Sequence, residues 1–196
     1  MYQFFRNLYD LLLHVYYSCV VKSGKEFLLV SVEKQRLALV RGGEIIRIFP
    51  ISTAKNGTGE QDGSGKTPRG WFSIDEKIGH DQPPDMVFKS REPLSKYDAT
   101  LHVDDPILTR IFWLSGLQGH NHRTKSRYIY IHGTPVSCFT DKKPMSAGCI
   151  RMLPQDCIEL FSDVDLQSWV YIYDADNIIF WQRWGLFSSW WLRMQQ

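Results

Sequence analysis

The stretch from Tyr128 to Leu153, YIYIHGTPVSCFTDKKPMSAGCIRML, decides how the rest of the chain is read. It opens as a strand-like run, Tyr128 to Ile131, that ends on His132 and Gly133. A polar loop follows, and Ser146-Ala147-Gly148-Cys149-Ile150-Arg151 then presents a cysteine between small residues and an arginine. A thiol attacks as the thiolate, and a neighbouring imidazole is the simplest base to generate it. An isolated histidine after a strand is more often structural, but the pairing with Cys149 across one polar loop raises His132 above that reading. Cys149 is therefore the candidate nucleophile and His132 its base. Gly148 lets the backbone approach a reacting carbonyl, so the amides of Gly148 and Cys149 are candidates for an oxyanion hole. Arg151 reads either as a surface ion pair or as a clamp for a substrate carboxylate.

Composition sets the outer bounds. A chain of 196 residues fits one domain with a sizeable core, and a charged fraction of 22% is that of a globular protein. The net charge of +2 gives no argument for nucleic acid as a partner. The cysteines Cys19, Cys138, Cys149 and Cys157 match no zinc spacing, and a chain of this size needs no disulfide framework. Cys157 lies in a helical pattern and reads as a small buried hydrophobe. His120-Asn121-His122 offers two metal ligands with no evident third, so no metal and no cofactor is expected.

Upstream, the pattern is one of strands. Phe27–Val32 and Gln35–Val40 are β-rich, and Gly42-Gly43 makes a tight hairpin turn into Ile45–Ile51. Ser52 to Gly70 is glycine-rich and polar, a long loop of the kind that carries function. Its Gly-Ser-Gly-Lys-Thr run imitates a phosphate-binding loop, but Glu60 stands where a glycine is required and Pro68 where a helix would continue. Trp71–Ile74 and Thr100–Val103 read as strands, and Lys77–Arg91 as an irregular groove wall. Pro106–Leu117 reads as a helix, with Ile107, Ile111 and Leu114 at helical spacing. A short helix over Pro154–Val164 and a last strand over Trp169–Tyr173 complete a mostly β domain.

Taken together these motifs resemble the catalytic domain of the L,D-transpeptidase (YkuD-type) family. The resemblance rests on His132-Gly133 followed by Ser146-x-Gly148-Cys149-Ile150-Arg151. It extends to Gln35-Arg36-Leu37, Ile51-Ser52-Thr53, Lys66-Thr67-Pro68-x-Gly70-x-Phe72 and Tyr128–Thr134, and covers residues 27 to 174. It implies an L,D-transpeptidase-type β-sandwich with a few short helices, and acyl transfer on peptidoglycan stem peptides. The Cys149 thiolate would attack the L-centre carbonyl of the diamino acid, D-Ala would leave, and an amine would take the acyl group. The acceptor would be another stem, a lysine of an envelope protein or, in an L,D-carboxypeptidase, water. The resemblance makes His132 the base, gives the Gly133 carbonyl the task of orienting it, and leaves Arg151, Ser146 and Gly148 to contact substrate or hold the loop. Lys66-Thr67-Pro68 is expected at the sandwich edge, outside the chemistry. Ala147 stands where the family pattern commonly has histidine, which bears on substrate positioning and acceptor choice. A peptidoglycan-binding module without catalysis is the reading from another class.

The resemblance leaves both ends of the chain aside, so three parts are expected: an amphipathic segment over residues 1–22, a catalytic domain over 26–174 and a Trp-rich tail over 177–196. In the first, Asp10 and His14 interrupt the apolar run that a secretory signal needs. An interfacial anchor or a packed helix is thus preferred to an atypical signal. Trp181, Trp184, Trp190 and Trp191 crowd the tail, which suits either packing or peripheral membrane contact. The implied location is the bacterial cell envelope, in the periplasm and near the inner membrane.

Overall fold

A computed structural model of the chain describes residues 26–100, 106–139 and 143–174. The amphipathic start and the Trp-rich tail therefore lie outside the described residues, as does most of the strand expected over Thr100–Val103. The expected mostly β, sandwich-type architecture holds. Among the described residues ten strands run in chain order: β1 (Phe27–Ser31), β2 (Arg36–Arg41), β3 (Glu44–Ser52), β4 (Gly70–Ile78), β5 (Met86–Lys89), β6 (Glu92–Lys96), β7 (Ile107–Gly116), β8 (Tyr130–Gly133), β9 (Ile150–Met152) and β10 (Trp169–Tyr173). An α-helix, α1 (Pro154–Asp163), lies between β9 and β10 and carries Pro154 in its first turn, where no intrahelical N–H is needed.

The sheet order is β4-β10-β1-β2-β3-β9-β8-β7, and β7 pairs back onto β4, so eight strands close on themselves. The β5–β6 hairpin hangs on β7 through Val87 and Phe88. Two neighbours are parallel, β1 with β10 and β8 with β9; the other pairs are antiparallel. Strand alternation sends one set of side chains inward. Leu28, Val30, Leu37, Leu39, Phe72, Phe112, Ile131 and Ile150 are fully buried there, and α1 adds Cys157, Leu160 and Phe161 to the same core. The opposite faces carry two separate apolar patches. One gathers Phe27, Leu29, Val40, Trp71 and Tyr173 over β1, β2, β4 and β10. The other gathers Phe88, Ile111, Trp113 and Tyr130 over β5, β7 and β8, with Cys149 packed against it.

Two sequence readings change. Pro106–Leu117 is strand β7, not a helix. A bulge falls between Leu108 and Ile111 and holds Thr109 at φ +66°, which breaks the alternation into two offset runs. Both faces of β7 are also apolar: Phe112 and Leu114 point into the ring, Ile111 and Trp113 to the outer patch. Lys77–Arg91 is not wholly irregular either, since β4 runs on to Ile78 and β5 begins at Met86. The Gly42-Gly43 hairpin forms as expected, with both glycines at positive φ.

Candidate active site

The parallel pairing of β8 with β9 builds the site. Ile131 lies opposite Ile150 and His132 opposite Arg151. Ile131 and Ile150 face the core, so His132 and Arg151 face outward side by side on strands about 5 Å apart. Cys149, one residue before β9, comes level with Tyr130 and also faces the outer patch. Thiol and imidazole thus occupy successive rows of one face, and the rise of two residues between rows is about 7 Å at the backbone. The sequence placed Cys149 and His132 together, and the chain crossing brings them to the same face.

His132 is almost fully buried, and its Nδ1 lies 2.8 Å from the Gly133 carbonyl oxygen. A carbonyl can only accept, so Nδ1 carries a proton, and in the neutral ring the lone pair then lies on Nε2. Gly133 is a glycine for lack of room: a Cβ there would stand 2.5 Å from Thr109 Oγ1 and 2.9 Å from the Leu108 carbonyl oxygen. The β7 bulge and the carbonyl that orients the imidazole are therefore packed as one unit.

The Cys149 sulfur lies between two main-chain groups that the sequence did not single out. The Tyr130 N–H donates to Sγ at 3.4 Å, and the thiol reaches the Tyr128 carbonyl at 3.5 Å. The thiol is partly exposed. Cys157 is the contrast: burial pushes its thiol up to about 12, which keeps it protonated and inert.

The loop that carries Cys149 is held from beneath by distant segments. Ser146 is buried; its hydroxyl donates to the Cys149 carbonyl at 2.6 Å and accepts from the Gly148 N–H at 3.2 Å. Of the two tasks expected of Ser146, these bonds fit holding the loop, and the Gly148 amide points to the same hydroxyl. Gly148 itself sits at φ +134°, with Ile129 Cδ1 3.0 Å from where a Cβ would be. The Ser146 backbone pairs with Thr53 and Lys55. Thr53 is fixed in turn by buried Gln35, which accepts from its N–H and donates to its hydroxyl, both at 2.8 Å.

Lys66-Thr67-Pro68 also proves closer to the chemistry than expected. Fully buried Thr67 donates to the Gly148 carbonyl at 3.0 Å and accepts from the Ala54 N–H at 3.0 Å. Arg127, missed in the sequence, spans the Gly59 and Lys66 carbonyls at 3.1 and 2.7 Å. Burial lowers its pKa, while Asp62, Glu60 and, least, Cys149 act the other way. Nothing but its neighbour Tyr128 could have flagged it. The rings of His120 and His122 engage the Arg69 and Gly119 carbonyls. Among the described residues no group of three or more His, Cys, Asp or Glu side chains is arranged to hold a metal ion.

A cysteine at the head of one strand and an oriented histidine on its parallel neighbour, set on the outer face of a closed sheet, define a thiol-bearing β domain. The sequence matches the L,D-transpeptidase catalytic domain family, YkuD, over residues 25–172, and the chain belongs to that family. No curated protein matches it by sequence. Among solved structures, an L,D-transpeptidase of Xylanimonas cellulosilytica superposes with a TM-score of 0.51 at 20% identity, covering 76% of this chain and 61% of that one. An L,D-transpeptidase of Mycobacterium smegmatis superposes at 0.50 and 14% identity, covering 76% and 58%. This chain thus spans about three fifths of each of those chains, and at such identities the likeness is one of fold.

Proposed function

We propose that this domain is a cysteine acyltransferase acting on peptidoglycan stem peptides at the cell envelope. The observation that carries the reading is the β8–β9 register. It sets Cys149 and His132 on one outward face, with the imidazole tautomer fixed by Gly133. His132 Nε2 takes the Cys149 proton, and the thiolate attacks the L-centre carbonyl of the diamino acid. The peptide C–N bond to D-Ala breaks, and the imidazolium returns its proton to the leaving amine. An acceptor amine then attacks the thioester, His132 takes the proton that it sheds, and Cys149 is regenerated. Arg151, in the next strand position beside His132, is suited to hold a carboxylate of the substrate.

Purified tetrapeptide muropeptides incubated with the protein test this directly. The expected products are D-Ala and a 3→3 cross-linked dimer, both absent with Cys149→Ala. Tripeptide without dimer would replace the amine by water and make the domain a carboxypeptidase. No product, together with no Cys149 adduct by intact mass after carbapenem treatment, would refute catalysis and favour a binding module.

A further inference from the structure

The outer patch beside Cys149 carries a charge that the acyl-transfer chemistry leaves unused. Arg91 sits at the tip of the β5–β6 hairpin with its guanidinium 4.4 Å from the Trp113 ring centre and 5.5 Å from that of Tyr128. Trp113 and Tyr128 are stacked at 5.9 Å, and Tyr130 meets Trp113 edge-on at 5.7 Å. Arg91 and the Tyr130 phenol are electrostatic neighbours, which favours the charged guanidinium. Lys125 stands over the same indole at 4.8 Å, but it is paired with Asp75 and Glu76. Among the described residues no carboxylate stands within ion-pair distance of Arg91.

The backbone that presents Arg91 is itself unusual. Ser90 and Arg91 take φ of +52° and +72°, the two left-handed positions of a tight hairpin turn that ordinarily calls for Asn-Gly. Non-glycine residues in that region are strained, and such strain collects at binding sites. Tyr130 then connects this turn to the nucleophile. Its main-chain N–H donates to Cys149 Sγ, and its ring packs edge-on against the indole that Arg91 covers. The guanidinium and the sulfur thus flank one tyrosine, a separation on the order of two residues of extended peptide.

We infer that Arg91, stacked on Trp113 and Tyr128, is a specificity residue that binds a carboxylate of the acyl donor about two residues from the attacked carbonyl, or at the end of the attacked residue's side chain. This rests on Cys149 being the acylated thiol. A stacked guanidinium keeps its fork edge open, and that edge matches a carboxylate with two parallel hydrogen bonds.

The test separates this subsite from the reaction. Binding of a synthetic tetrapeptide stem with free carboxylates is measured by calorimetry on the Cys149→Ala protein. Analogues are amidated one at a time before, on and after the attacked residue. One amidation is expected to weaken binding about 10- to 100-fold, the size of a lost charged hydrogen-bond pair. Arg91→Gln should bind the acid peptide as weakly as the parent binds that amide and should lose the discrimination; Arg91→Lys should keep part of it. Which amide fails identifies the carboxylate. Equal binding of all the analogues, undiminished discrimination in Arg91→Gln, or no binding of any stem would each overturn the inference. If discrimination through Arg91 holds while the intact enzyme releases no D-Ala, the subsite stands and the acyl-transfer reading falls.

Discussion

Thr67→Val removes one hydroxyl and little else. The Thr67 backbone is already engaged, its N–H with the Gly57 carbonyl and its carbonyl with the Gly59 N–H, so the change isolates the side chain. The lost hydroxyl serves two buried groups, the Gly148 carbonyl and the Ala54 N–H. Each unpartnered buried group costs about 1–3 kcal/mol, so Thr67→Val should destabilise the fold by about 2–4 kcal/mol after its gain in apolar contact. Thr67→Ser keeps both bonds and loses one methyl, at a cost of about 1 kcal/mol. Urea unfolding followed by tryptophan fluorescence reads the difference, because Trp71 and Trp169 are packed together in the aromatic patch. The same change frees Gly148 next to the nucleophile, and a displaced thiol should acylate about 10- to 100-fold more slowly. Equal stabilities of the Val and Ser proteins would refute the account of Thr67 as the buttress of the Cys149 loop.

Two further outcomes follow from the same geometry. Gly148→Ala should cost about 2–3 kcal/mol and most of the acylation rate, since it combines a strained φ with a 3.0 Å contact; carbapenem adduct formation by mass spectrometry checks the rate. Cys157 gives a pH signature. Its folded pKa is raised by burial to about 12, so the folded state retains a proton that the unfolded thiol sheds near 9. Stability from this group is full below pH 9 and falls as pH rises towards 12, and Cys157→Ala should flatten that part of the urea-midpoint profile relative to the parent.

Much of this site was legible because its residues report directly on chemistry. Cys149, His132 and Gly148 need no context beyond thiol, imidazole and a crowded turn. Strands such as Phe27–Ser31 and Trp169–Tyr173 announce themselves by β-branched and aromatic content. Strand β7 did not, because Ile107, Ile111 and Leu114 fit a helical spacing while the bulge at Thr109 and two apolar faces erase the two-residue period. The supports of Cys149 were hidden for another reason. Arg127, Tyr130 and the Gly148 carbonyl act through main-chain groups or partners far along the chain, and periodicity reports only on near neighbours. Thr67 was visible as part of a motif, but its bond to a carbonyl 81 residues away was not.

The closed sheet also fixes when the molecule can exist. Strand β10 lies between β1 and β4, parallel to one and antiparallel to the other, so the first strand finds that neighbour only when the last has been made. A growing chain on the ribosome can form the β1–β2–β3 meander early, but the circle stays open until Tyr173 has emerged. Until then the ring of strands that carries the Cys149 loop lacks its closing member.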